Sequence, residues 1–215
     1  MVKIKVCGMR ERTNIRELLE LHPHYVGLIF YDKSPRFVGE GLDAELLLSV
    51  PKTTRKVGVF VNSNFDYILK NVRKYGLDFA QLHGGETPEF CRSLRSKGVN
   101  VIKAFAIGEG FNFRQLNNFK QHCDFFLFDT KGENPGGNGQ VFDWQVLNEY
   151  DNQKPFFLSG GIGLDQADSL AEMGHLNLHA VDLNSQFEVS AGLKDIAKIK
   201  EMVSRLRETT VVEKE

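Results

Sequence analysis

Several side chains capable of proton transfer or anion binding stand where an apolar run of this sequence stops. Asp129 follows Phe125-Phe126-Leu127-Phe128, and Cys7 follows the alternating stretch Val2 to Val6. His83 closes the run Leu77 to Leu82, and Asp182 closes Leu178 to Val181. A carboxylate in a water-poor mouth has its pKa raised and can serve as an acid, or it stays ionised as a loop cap. A buried thiol is usually a small apolar residue, but a positive or hydrogen-bonding neighbourhood lowers its pKa and makes it a base or nucleophile. The glycine pair Gly160-Gly161 and the donors Asn184-Ser185 suit an anion bound by backbone N–H groups, with plain turn chemistry as the alternative. Arg36, on the turn stiffened by Ser34-Pro35, is placed either to grip a carboxylate or phosphate or to pair with a glutamate at the rim.

The elements that position these groups repeat. Apolar runs predict strands at Val2–Val6, Tyr25–Phe30, Val57–Val61, Leu77–Leu82, Val99–Ala106, Phe125–Phe128, Phe156–Leu158 and Leu178–Val181. Helical spacings lie between them, from the stripe Ile15, Leu18, Leu19 with Thr13 or Asn14 as its cap to the last helix through Leu193, Ile196, Ile199, Val203 and Leu206. Eight strands alternating with helices at about 25 residues per unit predict a single-domain (β/α)₈ barrel spanning 1–207. A doubly wound sheet is the competitor, but Cys7-Gly8-Met9-Arg10 is not a dinucleotide fingerprint. In a barrel all strand ends share one face, so Cys7, Asp32 to Arg36, Asn62, His83, Asp129, Gly160-Gly161 and Asp182 to Ser185 should surround one mouth. Lys131 and Gly136 to Gly139 lie in the glycine-rich loop after Asp129, a segment suited to close over that mouth. Residues 208–215 have no pattern that could bury them and are expected to fray.

Composition removes other classes. A net charge of −1 gives no electrostatic footprint for nucleic acid or an anionic membrane. No apolar run approaches the roughly 18 residues needed to span a bilayer, and no signal-peptide h-region is expected from the first residues. Cys7, Cys91 and Cys123 are widely spaced with no Cys-x-x-Cys, so neither a disulfide framework nor a metal site is expected, and a cytoplasmic setting is. His22-Pro23-His24 reads as a polar turn.

An ordered set of segments resembles the phosphoribosylanthranilate isomerase family of tryptophan biosynthesis. It comprises Lys5-Val6-Cys7-Gly8-Met9-Arg10, Ser34-Pro35-Arg36-Phe37-Val38, Gly58-Val59-Phe60-Val61-Asn62 and Gln81-Leu82-His83-Gly84-Gly85-Glu86. It continues with Phe128-Asp129-Thr130-Lys131, Gly136-Gly137-Asn138-Gly139 leading to Phe142-Asp143-Trp144, Ser159-Gly160-Gly161-Ile162 and Ala180-Val181-Asp182-Leu183-Asn184-Ser185. The resemblance implies a cofactor-free Amadori rearrangement of N-(5-phosphoribosyl)anthranilate, by a monomer or homodimer. It implies Asp129 as general acid, Cys7 as general base, Arg36 on the anthranilate carboxylate, and His83 and Asp182 on the sugar. Gly160, Gly161, Asn184 and Ser185 would cradle the phosphate. For that chemistry both reacting groups should be tuned toward neutrality.

Two rivals share the barrel. The related histidine-pathway isomerase uses an aspartate where this chain has Cys7, and its substrate carries phosphate at both ends. A degenerate barrel that only binds a phosphorylated ligand would have no need of both Cys7 and Asp129. One departure from the family pattern is Ser190-Ala191-Gly192, where a proline usually precedes the glycine.

Overall fold

Strands that are apolar on both faces need cover on one side and filling on the other, which is what a closed barrel provides. The computed structural model describes residues 2–39, 41–130 and 142–212. Its strands are β1 (Lys3–Val6), β2 (Tyr25–Ile29), β3 (Arg55–Phe60), β4 (Phe79–Leu82), β5 (Asn100–Ile107), β6 (Phe125–Thr130), β7 (Phe156–Leu158) and β8 (Leu178–Leu183). Each pairs in parallel with its neighbour in chain order, and β8 closes on β1 with Lys5 opposite Asp182. The expected eight-stranded barrel is the fold.

The covering layer is less regular than the sequence pattern suggests. Helices α1 (Arg12–Glu20), α2 (Ala44–Leu48), α3 (Phe65–Tyr75) and α4 (Pro88–Arg95) cover the first half. Their ends follow from local chemistry: Asp43, Asn64 and Thr87 accept from the third residue of α2, α3 and α4, and Gly76 ends α3 in the left-handed region at φ 57°. Among the described residues, the segments after β5 and β6 make only 3₁₀ turns, Phe113–Asn118 and Trp144–Glu149. A short α5 (Ala167–Ala171) and a long α6 (Ile196–Val212) complete the ring. The backbone of α6 stays helical to Val212, past Glu208 where the sequence pattern predicts fraying to begin. Residues 131–141, with Lys131 and the expected flap Gly136 to Gly139, lie outside the described residues.

Two local expectations change. Neither Thr13 nor Asn14 caps α1, because the helix already starts at Arg12 behind Glu11. Asn14 is buried, and its amide grips the Lys194 backbone in both directions, with Nδ2 donating to Lys194 O at 2.9 Å and Oδ1 accepting from Lys194 N at 2.7 Å. That contact anchors a small antiparallel hairpin, β9 (Glu188–Ser190) and β10 (Leu193–Lys194), which the apolar pattern does not reveal. Gly192, at φ 86°, turns it where the family usually has a preceding proline.

Inside the barrel, side chains alternate with the period of two that strands impose. At the bottom, Tyr25, Phe157 and His179 pack ring against ring, and the Tyr25 hydroxyl lies 2.6 Å from His179 Nε2. Tyr25 and Phe157 form one cluster with Val57, Ile102, Ala104, Leu127 and Ala180. Continuing each strand by two residues brings Lys5 and Cys7, Gln81 and His83, Leu127 and Asp129, then Asp182 and Asn184 toward the mouth. Among the described residues no helix is long and apolar enough to cross a membrane.

Burial holds His179 down to about 4, with Lys3 and His24 adding to the effect. The unfolded chain therefore takes up a proton at this site near pH 6.5, before the folded one does, so its stabilising contribution is complete above 6.5. It is lost as pH falls from 6.5 to about 4 and then levels off. The loss should be on the order of 1 kcal/mol once the ring's partial exposure is allowed for. Urea midpoints at pH 7 and pH 4.5 should therefore fall further in the wild type than in His179→Leu; equal falls would contradict the assignment.

Candidate active site

The C-terminal ends of the strands surround one open cavity. Cys7, His83, Asp129, Gly160, Gly161, Asp182, Asn184 and Ser185 all line it. Eight of the nine residues singled out in the sequence thus meet at one mouth. The ninth, Arg36, is not on the lining.

Its guanidinium is held side-on by Glu188, with Nε 2.9 and 3.0 Å from the two carboxylate oxygens and Nη2 2.7 Å from one of them. The rim pairing weighed for Arg36 is therefore present. The grip uses the Nε–Nη2 edge and leaves Nη1 without a hydrogen bond among the described residues. Burial works against the Glu188 carboxylate, but Arg36 and Lys194 outweigh it and hold its pKa below the usual range. Gly8 makes this packing possible. At φ 78°, a Cβ there would lie 2.8 Å from Arg36 Cδ and 2.9 Å from Asn184 Oδ1.

The thiol end of the cavity is built on a buried cation. Lys5 is fully buried, and its Nζ donates to Asp182 Oδ2 at 2.6 Å and to Gln81 Oε1 at 2.8 Å. Cys7 is close enough to add to the stabilisation of the Lys5 charge. Burial works to lower the Lys5 pKa, but Asp182 and Cys7 together outweigh it and the net direction is upward. Lys194 Nζ, equally buried, donates to Asn184 Oδ1 at 2.7 Å and to Glu188 Oε1 at 2.6 Å. Despite these two cations, burial pushes the Cys7 thiol up, with Lys5 and Lys194 pulling it down and Asp182 opposing them. The expected tuning toward neutrality is therefore not seen in the resting site: desolvation wins, and the thiol is the resting form.

Across the cavity Asp129 is buried, with Oδ1 accepting from Thr130 N at 2.9 Å and Oδ2 lying 3.1 Å from His83 Nε2. His83 is fixed from below by Gln81, whose Nε2 lies 2.9 Å from His83 Nδ1. It is fixed from behind by its own loop. Glu86 accepts from the N–H of Asn62 and Gly84, and Lys103 donates to the Gly84 carbonyl and to Glu86. Asn62 from the strand-end set is thus a loop staple, and Asp32 is exposed.

The last two loops turn backbone toward the cavity. Gly160 and Gly161 have φ 95° and 65°, and a Cβ on Gly160 would fall 2.6 Å from Thr130 N. Consecutive residues of this kind leave N–H groups on a concave surface that suits an anion. Asn184 and Ser185 face them from the end of β8. Among the described residues, two buried polar atoms of the site have no hydrogen-bond partner, Asp182 Oδ1 and Thr130 Oγ1.

Strand-end reasoning missed Lys5, Gln81, Lys194 and Glu188. Lys5 and Gln81 did carry a signal: polar groups in strands apolar on both faces, two residues before Cys7 and His83 and so on the same side. Lys194 and Glu188 carried none, because only the hairpin folds them back. Among the described residues no group of three or more His, Cys, Asp or Glu side chains is placed to hold a metal ion.

These features define a (β/α)₈ barrel with a thiol, a carboxylate and a glycine pair at one mouth. A family profile described as N-(5'phosphoribosyl)anthranilate (PRA) isomerase matches residues 4–205. The N-(5'-phosphoribosyl)anthranilate isomerase of Parabacteroides distasonis is 42% identical over 209 residues, covering 94% of this chain and 92% of that one. The enzyme of the same name from Phocaeicola vulgatus is 38% identical, covering 95% and 98%. The crystal structure of phosphoribosyl anthranilate isomerase from Thermotoga maritima superposes with a TM-score of 0.86 at 30% identity, covering 97% of this chain and 100% of that one. A phosphoribosyl anthranilate isomerase crystallised with reduced 1-(o-carboxyphenylamino)-1-deoxyribulose 5-phosphate superposes with a TM-score of 0.83 at 28% identity, covering 97% and 100%. This chain belongs to the N-(5'-phosphoribosyl)anthranilate isomerase family.

Gly27 shows how tightly the thiol is seated, since a Cβ there would lie 2.7 Å from Cys7 Sγ and 2.9 Å from its Cα. Gly27→Ala should lower stability by about 1–3 kcal/mol through overpacking. The urea midpoint measures this, and an unchanged midpoint would show that the thiol has room to move.

Proposed function

We propose that this chain catalyses the cofactor-free Amadori rearrangement of N-(5'-phosphoribosyl)anthranilate, the aminoaldose-to-aminoketose step on the path from chorismate to tryptophan. The observation that carries the mechanism is the placement of Cys7 and Asp129 on opposite sides of one cavity, with anion-type loops beside them. Asp129 donates a proton to the ribose ring oxygen, the C1′–O bond breaks, and a Schiff base forms. Cys7 then removes the C2′ proton, and the enolamine tautomerises to the ketone. Gly160, Gly161, Asn184 and Ser185 hold the phosphate. Asp182, through its unpartnered Oδ1, accepts from a sugar hydroxyl.

The Arg36–Glu188 pair fits a substrate role for the arginine. Side-on pairing leaves the Nη1 end of the fork for a second carboxylate, and Glu188 fixes the direction in which that end points. The resting thiol must lose its proton before it can act as base. The small-molecule substrate needs no macromolecular partner, and we assign the enzyme to the cytoplasm as a monomer or homodimer.

Loss of phosphoribosylanthranilate fluorescence on adding purified protein tests the activity directly. Cys7→Ala and Asp129→Asn should each lower kcat/KM on the order of 10²–10⁴-fold while the fold is kept. Near-normal kcat/KM in either would sink the acid–base pair. Arg36→Ala should raise KM more than it lowers kcat, and an unchanged KM would refute its contact with the anthranilate carboxylate.

A further inference from the structure

A run of hydrogen bonds joins the Cys7 side of the barrel to Asp129, and its polarity has one consistent assignment. Lys5 can only donate. The Gln81 atom 2.8 Å from Lys5 Nζ must therefore be the amide oxygen, since an amide nitrogen there would set donor against donor. The other end of the same amide, an NH₂ group, then faces His83 Nδ1 at 2.9 Å. That nitrogen has to accept, so it carries a lone pair and the ring proton sits on Nε2. Nε2–H in turn points at Asp129 Oδ2, 3.1 Å away.

We propose that Lys5 and Gln81 are positioning residues that lock His83 as the Nε2–H tautomer, so that His83 holds Asp129 in place as a hydrogen-bond donor and not as its acid–base partner. The inference rests on the reading of Cys7 and Asp129 as the proton-transfer pair and adds what orients one of them. The Lys5–Gln81 link is protected from water. Lys5 is 0% exposed and Gln81 1%, so no solvent molecule competes for the amide. Reversing the chain would require turning Gln81 over, which would leave the Lys5 ammonium facing an NH₂ group inside the barrel. Protonating His83 on both nitrogens meets the same obstacle at Nδ1. The lock therefore assigns the acid step to Asp129 alone and gives the imidazole a fixed orientation. It also explains a lysine in the barrel core: the ammonium supplies the polarity from which the branch to Asp129 runs.

The tautomer is directly observable. Protein labelled with ¹⁵N-histidine is examined by long-range ¹H–¹⁵N correlation at pH 7, with the His83 signals identified by their loss in His83→Asn. The wild type should show the pattern of a neutral ring protonated on Nε2. Gln81→Glu replaces the donor at Nδ1 by an acceptor, and should convert His83 to a ring carrying a proton on Nδ1. It should also lower kcat on the order of 10- to 100-fold, with KM changed by less than about threefold, because misaligned groups cost rate more than binding. Lys5→Met should leave a mixture of tautomers; should that variant fail to fold, the wild-type spectrum and Gln81→Glu still decide. A wild-type ring protonated on Nδ1, or a Gln81→Glu protein with unchanged tautomer and kcat, would overturn the lock. Absence of turnover by a wild type whose His83 is the Nε2–H form would count against the isomerase reading and leave the lock standing.

Discussion

The mouth of this barrel depends on one buried ammonium. Lys5 sits in the first strand with no exposure to water, and an uncompensated charge there would cost several kcal/mol. Its Nζ donates to Asp182 from β8 and to Gln81 from β4. The β1–β8 register brings Lys5 level with Asp182, so barrel closure and charge compensation are the same event. A slip of one residue would turn every inward group outward and strand the charge.

Around that centre, burial and charge oppose each other. Two lysines beside Cys7 would make a thiolate in water, yet desolvation and the Asp182 carboxylate win in the resting site. The same carboxylates that stabilise the lysines weaken their effect on the sulfur. Lys194 shows the balance from the other side: burial holds its pKa down against Glu188 and Cys7. The site is therefore poised by cancellation among Lys5, Asp182, Lys194, Glu188 and Arg36, and a ligand that brings its own anions enters an already balanced set of charges.

The loops divide the work differently. Close backbone approach at Gly8, Gly27 and Gly160 is what lets Arg36, Cys7 and Thr130 lie where they do. At the rim after β4, the Lys103–Glu86 pair, each side chain 3% exposed, ties the Gly84 and Asn62 backbone together and gives His83 a rigid base. Precision here comes from backbone geometry and buried ion pairs, because the short 3₁₀ turns outside β5 and β6 contribute little regular cover.

The sequence by itself determined the strand count, the parallel barrel and which strand ends share the mouth. Apolar periodicity and chain order are local properties, and the handedness and closure rules of parallel strands turn them into one architecture. Cys7, His83, Asp129, Asp182 and the glycine pair were legible for that reason. Only the tertiary structure decided what those groups touch. That Arg36 is held by Glu188, that Asn14 holds the hairpin carrying Lys194, that Lys5 meets Gln81 and that His83 meets Asp129 depends on contacts between residues 46 to 180 positions apart. No local pattern encodes such pairings. They follow from barrel closure, which places distant side chains in one water-poor space where every buried donor needs an acceptor.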